Sequence, residues 1–191
     1  MNPHLALITA IEKAHPDLRD AVFTAHEFPS GWAIHIEFPT SYSMNMTMLR
    51  FQEFYESPFP SIRAREEWLE SQISVCLGVT DICDEDAPEF YVIGTYKGNR
   101  NAKSTLAHEM AHARYFLDPE YNAVVTSLVI KNWSKALERA LRKRGYDAST
   151  YIDEMHAFAL TGWGEWFPWY LRDKAARRLR RVLRRAYPQE K

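Results

Sequence analysis

His108 and His112, four residues apart with Glu109 directly after the first, carry the strongest chemical signal in this sequence. They lie in Leu106-Ala107-His108-Glu109-Met110-Ala111-His112-Ala113. On a helix, residues i and i+4 stack on one face, so both imidazoles can reach one zinc ion at about 2.0–2.1 Å from each nitrogen. From the next position Glu109 can extend its carboxylate toward the fourth coordination site, where an activated water needs a base. Ala107, Ala111 and Ala113 leave room around the rings. The plain alternative is a surface helix with two unrelated histidines.

A catalytic zinc needs a third protein ligand. One extension of the His-Glu-x-x-His pattern places Gly three and His six residues after the second histidine; here those positions hold Tyr115 and Asp118. Another takes a Glu from a later helix, and Ile152-Asp153-Glu154-Met155-His156-Ala157-Phe158 supplies Glu154. On His108, Glu109, His112 and the Asp153-Glu154 pair, the chain resembles the zincin metallopeptidases, of the gluzincin type, over about residues 90–160. It departs from thermolysin-like enzymes in carrying Asp153-Glu154 where they open with Asn-Glu.

The resemblance implies an α+β, zincin-like fold and a Zn²⁺ cofactor held by His108, His112 and Glu154. It also implies hydrolysis of a peptide or other amide bond, with Glu109 as general base taking the proton of the attacking water and passing it to the leaving amine. Asp118, Asp153 and His156 remain open as third ligands. Asp118 sits at a helix stop before Pro119. Asp153 and His156 point about 100° and 200° away from Glu154, so only one of the three can face the metal. The developing oxyanion needs a second donor, for which Tyr115, Tyr121, Tyr151 and His156 are candidates. Zincins align an extended peptide along an edge strand before the zinc helix, the role that residues 90–96 would take.

The elements that must position these residues change in type near residue 100. Before it, residues 3–15 and 62–77 pattern as helices, and 33–38 as a strand after the turn Pro29-Ser30-Gly31. Met44 to Tyr55 alternates loosely as a second strand. Phe90-Tyr91-Val92-Ile93-Gly94-Thr95-Tyr96 is the best strand. Beyond it the chain patterns as helix over 102–117, over 119–144 in one or two pieces closed by Gly145, over 150–160 and over 169–187. Thr150 and Asp153 stand at capping-box spacing. Strands with helices followed by helices is an α+β order. The expectation is a single domain over 1–191, with a sheet-containing part over 1–100, a helical part over 101–171 and a basic terminal helix over 172–191.

The composition is close to the globular average, with 46% hydrophobic and 26% charged residues, which excludes wholesale disorder. No apolar run is long enough for a membrane span. The start, Met1-Asn2-Pro3-His4, does not pattern as a secretory signal. Cys76 and Cys83 are too few for a disulfide framework and wrongly spaced for a zinc knuckle. These features suggest a cytoplasmic protein.

The formal net charge of −1 hides an asymmetry: residues 172–191 hold nine basic and two acidic residues, leaving the rest of the chain at −8. Leu171, Ala175, Leu179, Val182, Leu183 and Ala186 pattern as the apolar stripe of that last helix. Its arginines suit an acidic partner or nucleic acid, or simply a solvated face. A second reading therefore has the chain acting through this helix as a nucleic-acid-binding or adaptor protein, with a structural or inactive zinc site. Two aromatic segments, Gly162–Tyr170 and Arg50–Pro58, could line a substrate groove or simply pack.

Overall fold

A short turn and a close backbone approach set the sheet. The computed structural model describes residues 20–44, 89–162 and 174–187, and all that follows concerns these. The helices expected over 3–15 and 62–77, both cysteines, and the Arg50–Pro58 and Trp163–Tyr170 segments lie outside them.

Strand β1 (Val22–Phe28) enters the turn at Pro29-Ser30 and continues as β2 (Gly31–Phe38). A two-residue connection admits only antiparallel pairing. β3 (Glu89–Tyr96) pairs with β2 in parallel, Gly31 opposite Glu89 through Phe38 opposite Tyr96. The order is β1-β2-β3. As the middle strand, β2 buries Ala33, Ile34, His35 and Ile36 in succession, as a strand covered on both faces does. Two of its positions are special. His35 Nε2 reaches Thr95 Oγ1 at 2.7 Å, a polar pair diagonal across the β2–β3 ladder, and burial holds this imidazole below its ordinary pKa. Gly31 leaves no space for a side chain: a Cβ there would collide with the carbonyl oxygen of Glu89.

Val22–Phe28, left without an element by pattern alone, is thus the first strand. Met44, expected to open a strand, instead lies in a helical segment that starts at Ser41. Thr40 and Ser43 exchange side-chain and backbone hydrogen bonds there, the local pairing that favours a turn over a ladder.

The second half is helical. α1 (Ala102–Leu117) ends where Asp118 caps α2 (Pro119–Lys131), its Oδ1 accepting from Tyr121 N at 3.0 Å with Pro119 in the first turn. The 119–144 run divides at Asn132-Trp133-Ser134. There Ser134 Oγ, fully buried, accepts from Leu137 N and starts α3 (Lys135–Lys143). Gly145, at φ +87°, ends that helix in the left-handed region as a glycine can. A 3₁₀ turn (Ala148–Thr150) leads into α4 (Tyr151–Thr161).

The Thr150–Asp153 capping box does not form. Thr150 makes no side-chain cap, Asp147 Oδ1 takes Ser149 N and Oγ at 2.8 and 2.6 Å, and Asp153 is engaged elsewhere. The terminal helix α5 (Lys174–Ala186) packs on α4 and α2 through Ala176, Leu179 and Leu183, all fully buried. The stripe is narrower than its apolar residues suggest: Ala175 and Val182 are half-buried and Ala186 is exposed.

The chain clusters into two compact units, Met1–Glu27 with Gly31–Ala102, and Phe28–Ser30 with Lys103–Lys191. Sheet and helices thus form one α+β chain. Among the described residues no helix is long and apolar enough to cross a membrane.

Gly31→Ala is expected to destabilise the fold by about 1–3 kcal/mol, the range for forcing volume into packed structure. The urea midpoint measures it; an unchanged midpoint would show that the strands can part freely there.

Candidate metal centre

Helices α1 and α4 bring three electron-rich side-chain atoms to one point. His108 and His112 project from successive turns of α1, and Glu154 from the first turn of α4. His108 Nε2 and His112 Nε2 are 3.2 Å apart, and the Glu154 carboxylate lies 3.8 Å from each. The three form a group whose ligand atoms all lie within 4.8 Å of one another. Tetrahedral bonds of 2.0–2.1 Å put ligand atoms about 3.3 Å apart, so the cluster needs only small side-chain shifts to enclose zinc.

The opposite nitrogen of each ring has its own partner. Thr161 Oγ1 gives its proton to Ala157 O at 2.8 Å, so toward His108 Nδ1, at 3.3 Å, it can only accept. His108 therefore carries its proton on Nδ1. His112 Nδ1 lies 2.8 Å from Asp153 Oδ1, an ion-pair contact at an angle oblique for a hydrogen bond. An ionised carboxylate there also favours the proton on Nδ1. Both Nε2 atoms face each other at hydrogen-bond distance and lie beside Glu154, whose buried Oε2 has no hydrogen-bond donor. Two imidazole nitrogens and an unpartnered carboxylate oxygen, partly buried together, call for positive charge between them. Either a metal or an added proton can supply it, and the donor set fits zinc.

The supporting shell explains which carboxylate faces the two imidazoles. Asp153, one residue before Glu154, turns behind His112 and touches His156 Nδ1 at 3.3 Å with the same oxygen. It is a backing group rather than a ligand, the usual partner of a metal-binding imidazole. His156 is fully buried and its Nε2 meets Ala111 O at 3.2 Å, so neither of its nitrogens faces the cluster. Asp118 caps α2 and contacts Arg114 Nε at 3.6 Å. Of the four possible third ligands, Glu154 alone joins the two histidines. Phe158 closes the remaining side of His108, its ring centroid 4.5 Å away.

Glu109 is half-buried on the same turn of α1, and its charge acts on His112 and on Tyr146. The expected oxyanion donors are mostly occupied. The Tyr115 hydroxyl pairs with Thr126 Oγ1 at 2.8 Å while its ring stacks on His156. Tyr121 is buried beneath the Arg114 guanidinium, 4.3 Å from its centroid, and burial drives its phenol far above the ordinary pKa. Tyr151 is buried in the helical core.

Tyr146, an exposed residue after the α3 cap, was not among the residues singled out from the sequence. Partial burial raises its pKa, and the charges of Glu154 and then Glu109 raise it further against Arg144. Its place after Gly145, between two helices, was the available signal.

Comparison with known proteins returns no family model, no curated protein and no solved structure that matches this chain. The class of the protein therefore rests on the site itself.

Burial disfavours charge on His112, but Asp153, Glu154 and Glu109 outweigh it and raise the pKa. Burial also works against charge on Asp153, and the contacts with His112 and His156 lower its pKa in spite of it. The His112 contribution to stability is full below its ordinary 6.5 and is lost as pH rises through the raised value. The Asp153 contribution is full above 3.8 and is lost as pH falls through the lowered value. The metal-free protein should gain most from this pair between those two values. A metal must displace the His112 proton, so zinc affinity, measured against a chromophoric chelator, should fall steadily from pH 8 to pH 6. Asp153→Asn should weaken zinc binding by about 10–100-fold at pH 8 and flatten that dependence. Affinity independent of pH over this interval would contradict the assignment of His112.

Proposed function

We propose that this chain is a zinc-dependent hydrolase, a metallopeptidase of the zincin kind, acting on a peptide or protein substrate. The observation that carries the reading is the convergence of His108, His112 and Glu154 on one point, with Glu154 Oε2 buried without a partner and Glu109 on the same helical turn. His108, His112 and Glu154 would hold the ion. Zinc bound there supplies Lewis acidity, which makes water a nucleophile at neutral pH and polarises a carbonyl.

The rest falls to the chain's own residues. Thr161 and Asp153 keep each imidazole in the tautomer whose Nε2 is free. The Glu109 carboxylate accepts the proton of the attacking water and returns it to the departing nitrogen. Tyr146 is the donor we assign to the substrate oxygen as charge develops on it, a role commonly worth about 10²–10³ in rate.

Purified protein should contain stoichiometric zinc by elemental analysis, and His108→Ala and His112→Ala should each lose it. Glu109→Gln should keep the metal and lose hydrolysis of a quenched fluorescent peptide library by at least about 10²-fold. Turnover retained in Glu109→Gln, or zinc retained in the double histidine variant, would sink the reading.

A further inference from the structure

The arginines of α5 divide into two sets that sequence alone does not separate. Arg184, though exposed, folds back onto α4: its Nε and Nη2 donate to Leu160 O at 3.1 and 2.9 Å, satisfying a carbonyl in the last turn of that helix. Arg180 is half-buried beside it, close to Gly162, with burial and then Arg184 lowering its pKa. The other set is Lys174, Arg177, Arg178, Arg181 and Arg185, all exposed. Among the described residues none of the five pairs with a carboxylate, and Lys174–Ala186 contains no acidic residue.

At 100° per residue the five cations fall within an arc of about 100°, opposite the buried Ala176, Leu179 and Leu183. They span about 17 Å along the helix, at axial steps of roughly 4.5, 1.5, 4.5 and 6 Å. This is a straight, rigid row of charge backed by a packed core.

We propose that the outward face of α5 binds the phosphate backbone of double-stranded DNA. Four of the five cations are arginines, whose planar forks match phosphate oxygens in pairs. A duplex offers one phosphate charge per roughly 1.7 Å of axis, dense enough to engage the whole row. The B-form major groove, about 12 Å wide, admits an α-helix, whereas the deep, narrow groove of duplex RNA does not.

The row carries no aromatic ring on which an unpaired base could stack, which disfavours single strands. A membrane-surface helix would insert its apolar side into lipid, but that side of α5 is packed on α4 and α2. The contact reads charge and shape, so it is independent of base sequence. This proposal does not depend on the zinc site.

The test is fluorescence anisotropy of the full chain with a labelled 20-base-pair DNA. With five phosphates neutralised, log affinity should fall against log salt with a slope of about −4 to −5, or roughly 20-fold between 50 and 100 mM. Arg178→Gln should reduce that slope by about one. The quadruple glutamine variant at 177, 178, 181 and 185 should bring it to about −1 while circular dichroism stays unchanged. Arg184→Ala should lower the melting temperature and leave the slope near wild type. No binding at 50 mM salt would overturn the proposal. So would equal binding by the quadruple variant, or tighter binding to single-stranded RNA, polyglutamate or anionic vesicles.

Discussion

Two imidazole lone pairs and a carboxylate oxygen turned toward one another are a costly arrangement unless something positive lies between them. The α1–α4 pairing is organised around that cost. Thr161 holds one ring from the end of α4, Asp153 holds the other from its beginning, and His156 ties the same helix to the Ala111 carbonyl between the two histidine turns. Each tie acts on the side of a ring away from the cluster. The protein thus orients the facing atoms from behind and leaves Glu154 Oε2 without a donor.

The helices around this point have consistent roles. α2 and α5 pack against α4 through Val125, Val129, Leu179 and Leu183, and so fix the angle from which Glu154 enters. Buried aliphatic residues of this kind typically contribute a few kcal/mol each against truncation. That is enough to hold a ligand set close to the geometry a metal demands. Asp118 and Ser134, as caps, fix where α2 and α3 begin, and with them the turn that presents Tyr146.

His108, His112 and Glu154 were legible because helical periodicity alone puts the histidines together, and because a second helix with a carboxylate follows at a workable distance. The bounds of α1 were legible for the same reason, with Asp118-Pro119 as an unambiguous stop. The roles of Asp153 and His156 were not. Both lie on the ligand helix, and only the rotation of that helix, set by its packing, decides which carboxylate faces inward. The split of the terminal arginines was hidden likewise, since Arg184 differs from Arg185 only in which neighbour its helix presents to it. In the sheet, the strand around Ile34 was legible from composition. Its parallel pairing with β3 was not, because strand direction depends on the course of residues 39–88.

That parallel pairing has a consequence for how the molecule is made. The β2–β3 ladder joins Gly31 to Glu89 and Phe38 to Tyr96, so the whole intervening chain must close before one rung forms. Contacts so far apart in sequence are slow to form, because chain entropy is lost before any bonding compensates. The helical half is different: α1 to α4 are neighbours in sequence and meet over short connections. The part of the chain synthesised first should therefore be the last to reach its final state. Until it does, β2 exposes Ile34, Ile36 and Phe38 on a strand with an open edge, and the nascent protein is most vulnerable to aggregation there.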